Sequence, residues 1–183
     1  YMPSIMRDFP EFHYDEMKSR AENVLTSYLQ SITKQNPALL SEGTRELKEQ
    51  LRLRLEMLQN QSQKENFENI HIHRTEIHQY RKQRGRQSIV LQTAVEYFHA
   101  LKENGKVIRG SEEHKEQAKY NVELVYIQDQ DMIENQEDAG LGLNCPNCGA
   151  PLPGLGAKKC IYCDTPIVEY NLRVWNFSRV EEV

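Results

Sequence analysis

The chain has 183 residues, a formal net charge of −4, 38% hydrophobic and 27% charged residues, and a mean hydropathy of −0.75. That length suits one domain, or a domain with a small module, and allows burial of roughly 70% of the surface an unfolded chain exposes. Nine Tyr, five Phe and one Trp argue against disorder, no apolar run approaches the roughly 18 residues of a membrane span, and the slightly acidic balance gives no global pull toward nucleic acid or anionic lipid.

Residue 1 is Tyr rather than Met, so the expectation is a fragment whose anchor or targeting signal lies outside it. Residues 1–13 hold Pro3 and Pro10 and read as an irregular lead-in. A helix follows. Met17, Ala21, Val24, Leu25, Tyr28, Leu29 and Ile32 recur at three- and four-residue steps, which makes one apolar stripe. Asp15 is the expected N-cap, and Pro37 stops the helix near Gln35 or Asn36. Asn36-Pro37 then reads as a cap and first position of a new helix, interrupted at Gly43 and recapped by Thr44. Leu47, Leu51, Leu55 and Leu58 form its stripe, with Leu53 and Met57 beside it. The stripe is too short for sustained heptads, so packing on a sheet is expected rather than a coiled coil.

Beyond residue 69 the period falls from 3.6 to about 2. Four strands are predicted, at 70–80, 88–101, 120–128 and 167–177. Ile89, Leu91, Val95, Tyr97 and Leu101 share one parity, as do Tyr120, Val122, Leu124 and Tyr126. Glu103-Asn104-Gly105-Lys106 is a hairpin signal. Helices first and strands after give the α+β class: N-terminal helices on a curved antiparallel sheet of about four strands.

An acidic run at 129–138 precedes the four cysteines, Cys145, Cys148, Cys160 and Cys163, spaced C-x2-C-x11-C-x2-C. Two intervening residues form a tight turn that aims both sulfurs of a pair at one point. Two such knuckles make a tetrahedral cage of four thiolates, which selects zinc or an iron centre. Disulfides suit a secreted miniature, which this chain does not resemble, and a thioredoxin-like pair needs a βαβ setting that is absent. The expectation is one structural Zn2+ per chain, in a ribbon at 143–165 inserted before the last strand of a domain spanning 10–128 and 165–180. Four thiolates leave no open coordination position for catalysis.

The remaining candidates are weaker. His71 and His73 share a strand face and can chelate a metal, but no third ligand is evident. Arg81, Lys82, Arg84 and Arg86 gather at the first hairpin turn and suit anionic lipid or phosphate. Tyr97, His99, Tyr120 and Tyr126 can line a pocket. No paired carboxylates, nucleophile elbow or phosphate-binding glycine loop appears, so no catalytic residues are assigned. Lys158 and Lys159 lie at the second knuckle, but the acidic run and the lack of interleaved aromatics argue against a nucleic-acid partner.

Three stretches carry a family resemblance: Ser88-Ile89-Val90-Leu91-Gln92 through Leu101; Val107-Ile108-Arg109-Gly110-Ser111 with Tyr120-Asn121-Val122-Glu123-Leu124; and Asn144 to Pro151 with Cys160-Ile161-Tyr162-Cys163. The chain resembles bacterial proteins with a Tim-forty-four-like domain, named after the membrane-side anchor of the mitochondrial import motor. The resemblance implies a cone-shaped fold similar to nuclear transport factor two, with helices in the concavity of the sheet. It also implies a non-catalytic scaffold at the cytoplasmic face of a bacterial membrane, tethered through a segment outside this chain. The implied partners are proteins or lipid head groups. The zinc ribbon departs from the mitochondrial member, as does the lack of a chaperone-recruiting segment. The alternative is a small-ligand or enzymatic domain using the cone's pocket.

Overall fold

The computed structural model describes residues 1–83, 85–127 and 175–183. The four cysteines, Arg84, the acidic run and residues 167–174 of the predicted last strand lie outside the described residues.

The lead-in is a short helix, α1 (Met2–Asp8), not irregular chain. Pro3 sits in its first turn, where a missing N–H costs nothing, and Ile5 is fully buried. Helix α2 spans Tyr14–Lys34. His13 occupies its N-cap position and Asp15 lies in the first turn, where a carboxylate favours the positive end of the helix dipole. Gln35 closes α2 in the left-handed conformation (φ 54°). The Asn36 and Gln35 amides donate back to the Ser31 and Ile32 carbonyls, a Schellman-type stop built on Gln rather than Gly. Asn36 Oδ1 accepts from the Ala38 amide at 3.1 Å and starts a single 3-10 turn, Pro37–Leu39. Helix α3 spans Arg45–Asn60, and the Thr44 hydroxyl caps it by accepting from the Leu47 amide.

The strands are β1 (Gln63–Gln83), β2 (Arg86–Glu103), β3 (Lys106–Ile127) and β4 (Trp175–Glu182). They form one antiparallel sheet in the order β1-β2-β3-β4. The class is α+β, with three helices packed on a four-stranded antiparallel sheet among the described residues. Several strands outrun their sequence forecast. β1 begins seven residues before Ile70, and β3 begins at Lys106 rather than Tyr120. β4 continues to Glu182, beyond the expected Phe177. Register shifts interrupt the ladder at Glu68/His71, Ile72/Arg74 and Ile77/Gln79 of β1, and at Phe98/Ala100 and Leu101/Lys102 of β2. Such extra residues bend a strand and raise its twist.

One face of the sheet takes the helices. Val24, Leu25 and Leu29 of α2 and Leu47, Leu51 and Leu58 of α3 are buried against Ile89, Leu91, Val95, Val122, Leu124 and Phe177. Leu53 and Met57 stay exposed, off the α3 stripe. Polar pegs fix the register between layers. The Thr33 hydroxyl accepts from the Phe67 amide at 2.9 Å, and Thr75 donates to Glu22 at 2.9 Å beside a 3.1 Å contact with Thr93. The Thr44 amide reaches the Phe177 carbonyl at 2.8 Å, and Gln50 bonds both the amide and the carbonyl of Val180. The short β4 is thus held by α3 as well as by β3.

Candidate functional site

Between α2, α3 and the sheet lies a cleft of about 390 Å³, lined in part by Leu53, Arg54, Met57, Glu65, Phe67 and Tyr120. Behind the Arg54 and Glu65 side chains that line it, a polar cluster is built where three strands meet. Glu65 of β1 points inward with Phe67 and is only 4% exposed. Arg54 of α3 donates Nε (3.2 Å) and Nη2 (2.5 Å) to Glu65 Oε1. His99 of β2 places Nε2 2.7 Å from Glu65 Oε2, and Nδ1 3.0 Å from Glu116 Oε1 on β3. The Phe67 ring stacks on the imidazole with centroids 4.7 Å apart.

This arrangement dictates protonation. A carboxylate can only accept, so an imidazole bonded to one at each nitrogen carries both protons and a positive charge. Burial works against that charge, but the bond to Glu65 and the two carboxylate fields outweigh it and raise the His99 pKa. Burial likewise opposes ionisation of Glu65, yet the hydrogen bonds from His99 and Arg54 prevail and hold its pKa below the usual carboxylate value. Beside them the Tyr97 and Tyr120 hydroxyls meet at 2.6 Å, and burial pushes both phenols upward. The arrangement thus sets Arg54 and a doubly protonated His99 against Glu65 and Glu116, with the phenol pair alongside.

Backbone geometry serves the same cluster. Opposite His99 the β2–β3 register jumps, from Phe98↔Lys115 to Ala100↔Gly110. Gly110 has φ +76°, and a Cβ built there would lie 2.0 Å from the His99 carbonyl oxygen. Only glycine fits so close an approach. The Ser111 hydroxyl then accepts from the Glu113 and His114 amides, which holds the bulge that brings Glu116 to the imidazole.

Of the four pocket residues expected from sequence, Tyr97, His99 and Tyr120 come together. Tyr126 lies elsewhere, 5.3 Å from Trp175 and 4.8 Å from Phe9 in ring-centroid distance. Glu65, Glu116 and Arg54 are the members sequence reasoning missed. The signal available was a carboxylate at 65 sharing parity with Phe67. His71 and His73 have rings 4.8 Å apart, and His73 Nε2 lies 3.4 Å from a Glu96 oxygen. Among the described residues no group of three or more His, Cys, Asp or Glu is arranged to hold a metal. At the first hairpin, Lys82 is bound to Asp8 at 2.5 Å, and Arg86 lies 3.8 Å from both Glu46 and Glu123. Two of that basic cluster's charges therefore have acidic neighbours within the fold. Among the described residues no helix is long and apolar enough to cross a membrane. No protein-family model matches the chain, and no curated protein matches it significantly.

Proposed function

We propose that the chain is a non-catalytic, zinc-stabilised interaction or scaffold domain of a membrane-associated bacterial protein, binding protein partners or lipid head groups. The observation that carries this reading is the state of the inner face. Its polar groups are spent on one another. Both Glu65 oxygens and both His99 nitrogens are engaged, and the two phenols bond each other. A general base works through a lone pair facing substrate, and a nucleophile through an activating base; the Glu65 oxygens and His99 nitrogens are instead turned toward one another and toward Arg54 and Glu116. Leu53 and Met57 stand exposed at the mouth of the cleft, where a partner would cover them. Helices laid over one face of an antiparallel sheet are what the Tim-forty-four-like resemblance implies, and the kinship itself rests on the three quoted stretches. The zinc assignment rests on the spacing of Cys145, Cys148, Cys160 and Cys163, and elemental analysis should return one zinc per chain.

The test is cross-linking and native mass spectrometry of the protein from its own membrane fraction. The expected result is a discrete complex with protein or lipid that survives Glu65→Gln. A chain that is free of both, but retains an organic small molecule lost in Glu65→Gln, overturns the reading in favour of a ligand-binding or enzymatic pocket.

A further inference from the structure

The hairpin joining β2 and β3 ends in Asn104-Gly105, both at positive φ (51° and 83°), as a tight primed turn requires. Just past it the ladder slips. Lys102 pairs with Val107 but Leu101 pairs with Arg109, so Ile108 is an extra residue. In an unbroken ladder, consecutive side chains point to opposite faces. The bulge re-aims them, and Val107 and Ile108 stand 44% and 51% exposed side by side. They are bracketed by Lys106 and Arg109, which make no ion pair among the described residues. Across the strand, Lys102 is bonded to Glu112. Residues 102–109 hold three cations and one acid, Glu103, on a chain whose net charge is −4.

We propose that this hairpin tip is the point at which the protein enters the surface of a bilayer rich in anionic phospholipid. The inference rests on the lipid-binding reading above and says which surface performs it. Two adjacent aliphatic side chains at a protruding turn gain by leaving water for the headgroup–acyl boundary. The flanking Lys and Arg can lay their aliphatic stems alongside them while their charges stay among the phosphates. Charge complementarity decides the occupant. The acidic remainder of the chain is repelled by an anionic surface, so approach is favoured tip first. The first hairpin is the weaker candidate, because Lys82 and Arg86 already face Asp8, Glu46 and Glu123.

The experiment is co-sedimentation of the full chain with vesicles of phosphatidylcholine alone or mixed with phosphatidylglycerol. Binding is expected only to the mixed vesicles, and is expected to weaken as salt rises. The double variant V107S/I108S should lower the partition coefficient at least about tenfold, as should K106E/R109E, with circular dichroism unchanged because all four side chains are exposed. An Ile108→Trp variant should add fluorescence that brominated acyl chains quench, while the buried native Trp175 is spared. Anionic-vesicle binding that both double variants leave intact overturns the tip while sparing lipid binding. A chain that ignores vesicles yet remains in a protein complex overturns the tip while sparing the scaffold reading.

Discussion

Replacing His99 by Gln removes the cation shared by Glu65 and Glu116. The His99 and Glu65 side chains are only 13% and 5% exposed, so Glu65 keeps its charge in a poorly solvated place with Arg54 alone to balance it. Removing one partner of a buried pair costs about 3–5 kcal/mol. Here Arg54 remains, and Glu116, 43% exposed, rehydrates, so about 2–3 kcal/mol is the expected loss. For a chain of this size that corresponds to a fall in Tm of roughly 4–12 °C. The pH dependence has a definite sign. The His99 pKa is raised in the fold from its ordinary 6.5, so its contribution is complete below 6.5 and fades as pH climbs through the folded value. The Glu65 pKa is lowered from 4.5, so its contribution is complete above 4.5 and fades as pH falls through the folded value. The stability gap between wild type and H99Q should therefore be widest from about pH 4.5 to 6.5 and narrow toward pH 9. Urea unfolding of both proteins at pH 5.5 and pH 9 measures it. A gap under about 0.5 kcal/mol at pH 5.5, or one equal at both pH values, would refute the clasp.

Gly110→Ala should cost more than about 2 kcal/mol, since its Cβ would sit 2.0 Å from the His99 carbonyl oxygen at φ +76°; thermal unfolding close to wild type would show that the bulge yields. Thr44→Ala should cost about 1 kcal/mol by removing the α3 cap, read as a lower urea midpoint at unchanged slope. With the proposed zinc bound, a strong chelator should release one ion per chain while far-UV circular dichroism keeps its helix and strand signal, because α2, α3 and β1–β3 share one buried cluster among the described residues; collapse of that signal would show that the four-cysteine segment is needed by the whole fold.

The helices were legible because their stripes are unbroken: every residue named in the α2 stripe is buried. Thr44 and Asn36 announced their caps by chemistry alone. Strand lengths were harder to read. The first half of β3 carries Glu112, Glu113, His114, Lys115 and Glu116 with no apolar alternation, because that stretch extends past the helical layer and neither face has to be apolar. The start of β1 was hidden for a different reason. Glu65 occupies a core position, and an acid there breaks the pattern that period-counting relies on; only the arrival of His99 from β2 and Arg54 from α3 makes it tolerable. A cluster that draws one residue from each of four elements leaves no local signature. Pro3 within α1 and Pro10 just beyond it masked a helix whose single buried residue, Ile5, is too little periodicity to register.

The aromatic contacts around Trp175 have a consequence in time. Phe9 and Phe12 of the chain's opening residues meet the Trp175 ring at 4.8 and 5.7 Å, although more than 160 positions separate them in sequence. At a synthesis rate of roughly 5–20 residues per second, the opening segment waits on the order of 8–30 s before the surface that receives it has been made. Throughout that interval Phe9 and Phe12 lack the ring that completes their packing, so this aromatic corner closes only after the first three strands have been made.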